Sequence, residues 1–400
     1  MENYIVEWLN LLFRWLHFIT GAAWIGTSFY FNWLNHNLRP PEEGQVKREG
    51  VDGELFAVHG GHFYQVSKYA GAPKVLPKTL HWFKWEAYFT WITGVCMLFI
   101  VYYWNSKLYL IPAGSELTPF QGISIGIGCL IGGWIAYDLL CKSPLAKNPT
   151  LFAAVGFTLM TGAAYGLTQV FGPRAAYIHV GAMLGTMMAA NVFFVMIPNQ
   201  RKMVDAMIAG DIPDTTLGDQ GALRSFHNNY LTLPVLFIMI SNHFAGTTWG
   251  HTHNWMILAA LSLIGASARH YFNLKHKGKH KQWILPAAAL AMVALAFVAR
   301  PQPAVSNAQT SSVTYRDIHP IIVQRCQPCH SAKPSYPGFT APPKGVVYDT
   351  PENIQILAQK IKMQAVTTIV MPPGNITEIT DAERALLGAW VDAGAPIPSP

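Results

Sequence analysis

Residues 175–197 read AAYIHVGAMLGTMMAANVFFVMI, a stretch without a single Asp, Glu, Lys or Arg. A helix needs about 20 mainly apolar residues to cross roughly 30 Å of hydrocarbon, so this stretch makes the bilayer one of the chain's solvents. Working outward with the same window, seven more segments qualify: 6–31, 85–104, 119–140, 150–171, 229–248, 254–273 and 282–300. Composition agrees, with 51% of residues hydrophobic and only 12% charged, about half the charged share of soluble domains. The net charge of +7 falls among the apolar segments, because residues 313–400 carry seven bases and seven acids. That placement points to membrane topology and excludes nucleic acid as the partner. The first segment is flanked by Glu2 and Glu7, unlike the basic flank of a cleaved signal, and is expected to remain as a helix.

The expected fold class is all-α, a polytopic membrane helix bundle of about eight transmembrane helices over residues 1–300. Lys and Arg orient it. With the N-terminus outside, sixteen of them from Arg39 to Lys281 lie in inner loops and only Lys107 and Arg174 in outer ones. Eight crossings return the C-terminus to the outside.

Residues 301–312 (PQPAVSNAQTSS) lack apolar periodicity and read as a linker. Residues 313–400 then read as three short helices. Thr350-Pro351-Glu352 is an N-cap with Pro at the first helical position, and Thr380-x-x-Glu383 is a capping box before an apolar stripe ending at Trp390 and Gly394. So few large apolar groups make a thin core, which an internal cofactor would fill. Cys326-Gln327-Pro328-Cys329-His330 is the C-x-x-C-H pattern of covalent haem c attachment. The two thiols add across the porphyrin vinyl groups, and His330 is placed to ligate iron on one face. Met371, in the stiff string Met371-Pro372-Pro373-Gly374, is the thioether for the other face. A zinc knuckle would want a second Cys/His pair, and this domain offers only His319 besides. The expected unit is a small all-α, class I-like cytochrome c domain holding one haem c. Such attachment occurs outside a bacterial inner membrane, so the N-terminus and this domain are expected in the periplasm. A His/Met haem has no open position, and the chemistry must lie elsewhere.

Elsewhere means the membrane part, where ionisable groups cost about 2.5–3.5 kcal/mol each on insertion scales. Arg14, His17, Gly21, Trp24 and Ser28 share one face of the first helix. His179 and His243 lie toward the outer ends of their segments. With His17 they are candidate ligands for a non-covalent haem b, the alternative being hydrogen bonds to neighbouring helices. The inner ends hold the densest polar strings: His59-Gly60-Gly61-His62 in the first inner loop, His81 to Glu86, Pro198 to Arg201, Ser225 to Tyr230, and Arg269 to Asn273. An interfacial belt explains Trp82, Trp85 and Lys84 but not Asn228, Asn229, Arg269 or the loop histidines, for which a polar, aromatic pocket is the better account.

The strings at 14–30, 59–64, 79–91, 198–202, 225–243 and 269–273, together with RCQPCH and MPPGN, resemble the bacterial membrane-bound urate oxidases (urate hydroxylases) with a fused cytochrome c domain. The resemblance implies oxidation of urate to 5-hydroxyisourate. Electrons would pass through haem c to a respiratory cytochrome c or terminal oxidase rather than directly to oxygen. Urate is a planar anion with donors and acceptors on its edge, so its site should offer a cation, amides and an aromatic face. Arg269 is the expected counter-charge, Asn228 and Asn229 the edge readers, Phe226 or Trp82 the stacking ring, and His227 or His62 the proton acceptor. A rival of another class is a membrane-anchored cytochrome c carrying electrons from quinol to a terminal oxidase, which has no use for the polar strings. A transporter is disfavoured, because no internal repeat of the segments is evident.

Reporter fusions check the topology. One placed after Pro400 should be active only outside the cytoplasm and one at Lys279 only inside; activity on the same side for both would refute the count of crossings.

Overall fold

The computed structural model of the chain describes residues 2–40, 49–112, 114–300, 313–337, 339 and 341–398. The expected linker 301–312, and Lys47 and Arg48 of the charge count, lie outside the described residues. About 70% of the chain is helical. The long helices are α1 (Glu2–Asn37), α2 (Trp85–Tyr103), α3 (Pro119–Lys142), α4 (Pro149–Val170), α5 (Pro173–Ala209), α6 (Thr215–Ser241), α7 (Asn254–His276) and α8 (Ile284–Val298). Each overlaps one of the apolar segments found in the sequence. Four of them, α2 to α5, are long and apolar enough to cross a membrane. Among the others, α8 is apolar but short, while α1, α6 and α7 carry most of the polar side chains discussed below.

Local chemistry starts these helices. Thr118 and Gln121 form a capping box before Pro119, Asn148 caps Pro149, and Asp214 accepts from the Thr216 N–H. Helix α6 departs furthest from expectation. It begins well before residue 229 and ends at Ser241, so His243 lies in an exposed turn and not within a helix. The string 59–62, expected as a loop, is the tip of an antiparallel hairpin, β1 (Val51–His59) and β2 (His62–Tyr69). Gly60 and Gly61 both adopt positive φ, 58° and 77°, the backbone that a two-residue hairpin turn demands.

The bundle core gathers Tyr177, Val180, Leu184, Ile238 and Leu258. Glycine permits a close approach of α3 and α5: a Cβ on Gly126 would fall 2.8 Å from His179 Nε2, and one on Gly133 would fall 2.5 Å from Met183 Cγ. Two helices contain a π turn, Phe99–Tyr103 in α2 and Asn191–Met196 in α5. The face of α1 bearing His17, Gly21 and Trp24 packs toward α2: His17 Nδ1 lies 2.9 Å from the Thr90 carbonyl, and Trp24 joins Ala87 in a small apolar cluster.

The C-terminal residues form α9 (Tyr315–Ile321), continued by a π turn and a short helix to His330, then α10 (Pro351–Ile356), α11 (Ala358–Ile361) and α12 (Asp381–Asp392). Their own core centres on Ile318, Ile322, Ile354, Leu387 and Trp390. Thr350 caps α10, and Thr380 with Glu383 forms the expected capping box of α12. This unit rests on one end of the bundle: Val370 packs against the bundle core, Thr368 lies against Gly250, and Gly374 lies against the carbonyls of Lys107 and Leu108.

Gly133→Val should force α3 and α5 apart and lower stability by about 1–3 kcal/mol, the usual cost of overpacking. Gly128→Val is the control, since a Cβ there meets nothing within 4 Å. Thermal melting followed by circular dichroism should separate the two variants.

Candidate functional site

Helix α6 carries His227-Asn228-Asn229 at its middle. Successive helical residues point about 100° apart, so the three side chains reach three different neighbours. His227 Nδ1 lies 2.9 Å from the Tyr137 hydroxyl of α3, and its ring stacks on Phe152 of α4 at 4.5 Å and 13°. Asn228 meets α5, accepting from Asn191 Nδ2 at 2.8 Å and donating to the Met188 carbonyl at 3.0 Å. Asn229 accepts from Arg269 Nε of α7.

Toward α3 and α5 the polar groups are satisfied. Arg224, one turn before Asn228, is buried; it ion-pairs with Asp138 at 2.5 Å and donates to Asn191 Oδ1 at 3.3 Å. Its guanidinium also lies 5.0 Å from the Tyr137 ring centroid. Asn191 donates to the Tyr137 hydroxyl at 3.1 Å, and that hydroxyl is paired with His227 Nδ1. The polar atoms of Asp138, Arg224, Asn191, Asn228, Tyr137 and His227 thus close on one another, and such networks fix helix positions.

Toward α7 they are not. Arg269 Nη2, both amide atoms of Asn273, His276 Nδ1 and Ser262 Oγ are buried without a hydrogen-bond partner among the described residues. The Tyr230 hydroxyl lies near Asn273 but bonds His270 Nδ1 at 2.6 Å. Buried polar groups are nearly always paired, so a cluster of orphans requires an explanation. Residues 262, 269, 273 and 276 recur at helical spacing and share one face of α7. Phe29 of α1 lies under the Arg269 guanidinium, its centroid 4.0 Å away, and the His36 ring sits 5.8 Å from that of His276. The cluster offers a free guanidinium edge, a free carboxamide, an imidazole and an aromatic ring, which are the groups that hold a planar heterocyclic anion.

The structure thus unites Arg269 and Asn229 of the expected site and adds Phe29, His36, Asn273 and His276. The helical repeat of Arg269, Asn273 and His276 was visible in the sequence; the approach of α1 was not. Asn228 and His227 face the closed network on other sides of α6. Phe226 is 40% exposed beneath Lys277. Trp82 packs with Trp24 and Ala87 under Arg201, and His62 stands exposed at the hairpin tip. A separate cavity of about 540 Å³ between α1 and α2 is lined by apolar groups such as Leu9, Phe13 and Phe99 and has no polar lining.

The three histidines expected as haem b ligands stand in different surroundings. His179 is fully buried, with Nδ1 donating to the Ala175 carbonyl at 2.8 Å and Nε2 accepting from the Tyr103 hydroxyl at 3.1 Å, so both nitrogens are engaged. His17 Nδ1 is held by Thr90 and Thr93, and His243 is exposed.

The residues suited to haem c fare better. His330 Nδ1 donates to the Val346 carbonyl at 3.1 Å, which fixes the ring and frees Nε2 to act as an iron ligand. Burial lowers the His330 pKa against the pull of that carbonyl, and burial pushes the Cys326 thiol up to about 12. Arg384, buried, donates to the carbonyls of Met371 and Ala365 and to Asn375 Oδ1, and so clamps the loop presenting Met371. Among the described residues no group of three or more His, Cys, Asp or Glu side chains is gathered for a bare metal ion.

A family model described as urate oxidase N-terminal matches residues 3–300, which include the whole of the polar junction on α6. No curated protein and no solved structure matches the chain.

Asp138→Asn should leave Arg224 buried and uncompensated, destabilising the bundle by about 3 kcal/mol. A double substitution with Arg224→Met should recover most of the loss, as measured by thermal unfolding in detergent.

Proposed function

The chain belongs to the urate oxidase N-terminal family, and from that premise we propose that it is a membrane-bound urate hydroxylase linked to haem c. Urate and water give 5-hydroxyisourate, two electrons and two protons, and the electrons leave through haem c to a respiratory cytochrome c or terminal oxidase. The observation that carries the reading is the set of unpaired buried atoms on Arg269, Asn273 and His276. Urate is the anion these groups suit.

Arg269 Nη2 neutralises the anion, while Asn229 and Phe29 hold the guanidinium in place. The Asn273 carboxamide presents a donor and an acceptor to the ring edge. His276 Nδ1 takes a proton as the ring is oxidised, with His36 beside it. Burial in the apolar bundle strengthens each contact, because charge interactions grow as water is excluded. Haem c, held covalently by Cys326 and Cys329 and ligated by His330 and Met371, would supply a one-electron acceptor when bound. The eight long helices act as membrane spans of a bacterial inner membrane, with the N-terminus and the cytochrome unit in the periplasm and the Arg269 site toward the cytoplasm.

Purified protein should reduce soluble cytochrome c with urate and show one c-type haem in a pyridine haemochrome spectrum. Arg269→Met should weaken urate binding by about 10- to 100-fold, the loss of a charged hydrogen bond of roughly 1.5–3 kcal/mol, and Asn273→Leu should weaken it less. Turnover with quinol but none with urate would instead identify a simple electron carrier.

A further inference from the structure

The residues suited to haem c stand against one end of the bundle. Val370, next to Met371, packs on the bundle core, and Gly374 lies against the carbonyls of Lys107 and Leu108 in the short helix Ser106–Tyr109. Tyr109, which closes that helix, is within electrostatic reach of Cys329. The next residue ties the segment to α5, because the Leu110 carbonyl accepts from the Gly172 N–H at 2.9 Å. Arg174 follows two residues later and is also within electrostatic reach of Tyr109. An attachment cysteine and the loop presenting Met371 therefore meet the stretch of bundle that carries this arginine.

Arg174 is held in place without an anion. Its Nε donates to Asn242 Oδ1 at 2.9 Å, and Tyr102, whose hydroxyl reaches the same oxygen at 3.4 Å, has its ring centroid 5.8 Å from the guanidinium. The Nη groups have no hydrogen-bond partner among the described residues, although a guanidinium fork matches a carboxylate. Two further positive features crowd the spot. Arg14 of α1 is within electrostatic reach of Arg174 and donates to Asn10 Oδ1 at 3.1 Å, and Arg174 itself occupies the second position of α5, where the helix dipole is positive. Among the described residues neither arginine forms an ion pair. Like charges gathered beside apolar helices repel unless an anion lies among them.

A haem carries two propionate carboxylates. The arginines next to the haem-binding residues of the C-terminal unit are already engaged: Arg325 by Glu383 and the Thr377 carbonyl, and Arg384 by the carbonyls of Ala365 and Met371 and by Asn375. We propose that Arg174, with Arg14 beside it, is the counter-charge for the propionates of haem c, so that this end of the bundle forms one wall of the haem site. The proposal rests on the reading of Cys326, Cys329, His330 and Met371 as the haem c residues.

The pairing has a functional sign. Ferric haem carries one more positive charge than ferrous haem, so a neighbouring guanidinium, or a propionate neutralised by one, favours the ferrous form. Arg174 therefore makes haem c a better electron acceptor. It also links the C-terminal unit to the bundle by charge, in addition to the apolar contact of Val370.

The test uses full-length holoprotein with Arg174→Gln, Arg174→Lys and Arg14→Gln, and with Arg201→Gln, which removes a cation over the Trp82 ring, as control. In a spectroelectrochemical titration of the c-type band, the ferrous-to-ferric ratio at a fixed potential should fall about 3- to 10-fold in Arg174→Gln. It should fall less in Arg14→Gln and stay unchanged in Arg174→Lys and the control. Resonance Raman gives a second reading: the propionate bending modes should shift in both Arg174 variants, because Lys keeps the charge and loses the fork. The Lys and Arg14 variants decide the matter if Arg174→Gln does not assemble. Unchanged potential and propionate modes in the Arg174 and Arg14 variants, with a c-type pyridine haemochrome spectrum present, would overturn the proposal and leave the haem c reading intact. A wild type lacking that spectrum would overturn the haem c reading and the proposal with it. Shifts confined to a haem extractable by acid acetone would overturn the assignment to haem c and give the arginines to a second, non-covalent porphyrin.

Discussion

A guanidinium cannot be left bare among apolar helices, and the bundle is organised around meeting that demand at Arg224. Its ion pair with Asp138 and its hydrogen bond to Asn191 tie α6 to α3 and α5 at one level. Breaking such a pair costs more than the pair contributes, because one charge is then stranded in low dielectric. That asymmetry makes the contact a device for specificity: any sliding of α6 strands Arg224. Asn228 bonds Asn191 and the Met188 carbonyl, and reinforces the same register.

With the register fixed, the next residue of α6 delivers Asn229 to α7, where the same demand is left unmet. Arg269 has one partner through Nε and a free Nη2, and Asn273 and His276 add further unpaired atoms. Both clusters are polar, buried and built on α6, and they differ in closure. The closed one sets geometry, while the open one has capacity for a ligand. A single tripeptide, His227-Asn228-Asn229, serves both because helical rotation spreads adjacent residues among different neighbours.

What was legible in the sequence follows this division. Local signals carried well: the apolar segments mark the long helices, and Thr350 and Thr380 cap as their spacing requires. Arg269 and Asn229, singled out in the sequence by their chemistry, are hydrogen-bonded to each other. Phe226 and Trp82 are the rings the sequence offers for stacking because they are aromatic and lie in polar strings; rotation about the helix turns Phe226 toward Lys277, and Phe29, from the far end of the sequence on α1, lies beneath Arg269. The hairpin 51–69 has its turn signal in Gly60-Gly61, but the polar residues around it mask the strand alternation. His179 looked free to bind iron because a sequence does not reveal that Tyr103 and Gly126 close upon it.

The arrangement has a consequence for energetics under the proposed orientation. Electrons taken from urate at the cytoplasmic end leave at the periplasmic end, while the protons released by urate remain where His276 receives them. Negative charge therefore moves outward from a compartment that is itself negative, and each crossing is favoured by about 2.3 kcal/mol per 100 mV of membrane potential. In the proposed arrangement, an oxidation site and an acceptor at opposite ends would let the membrane potential favour the forward reaction.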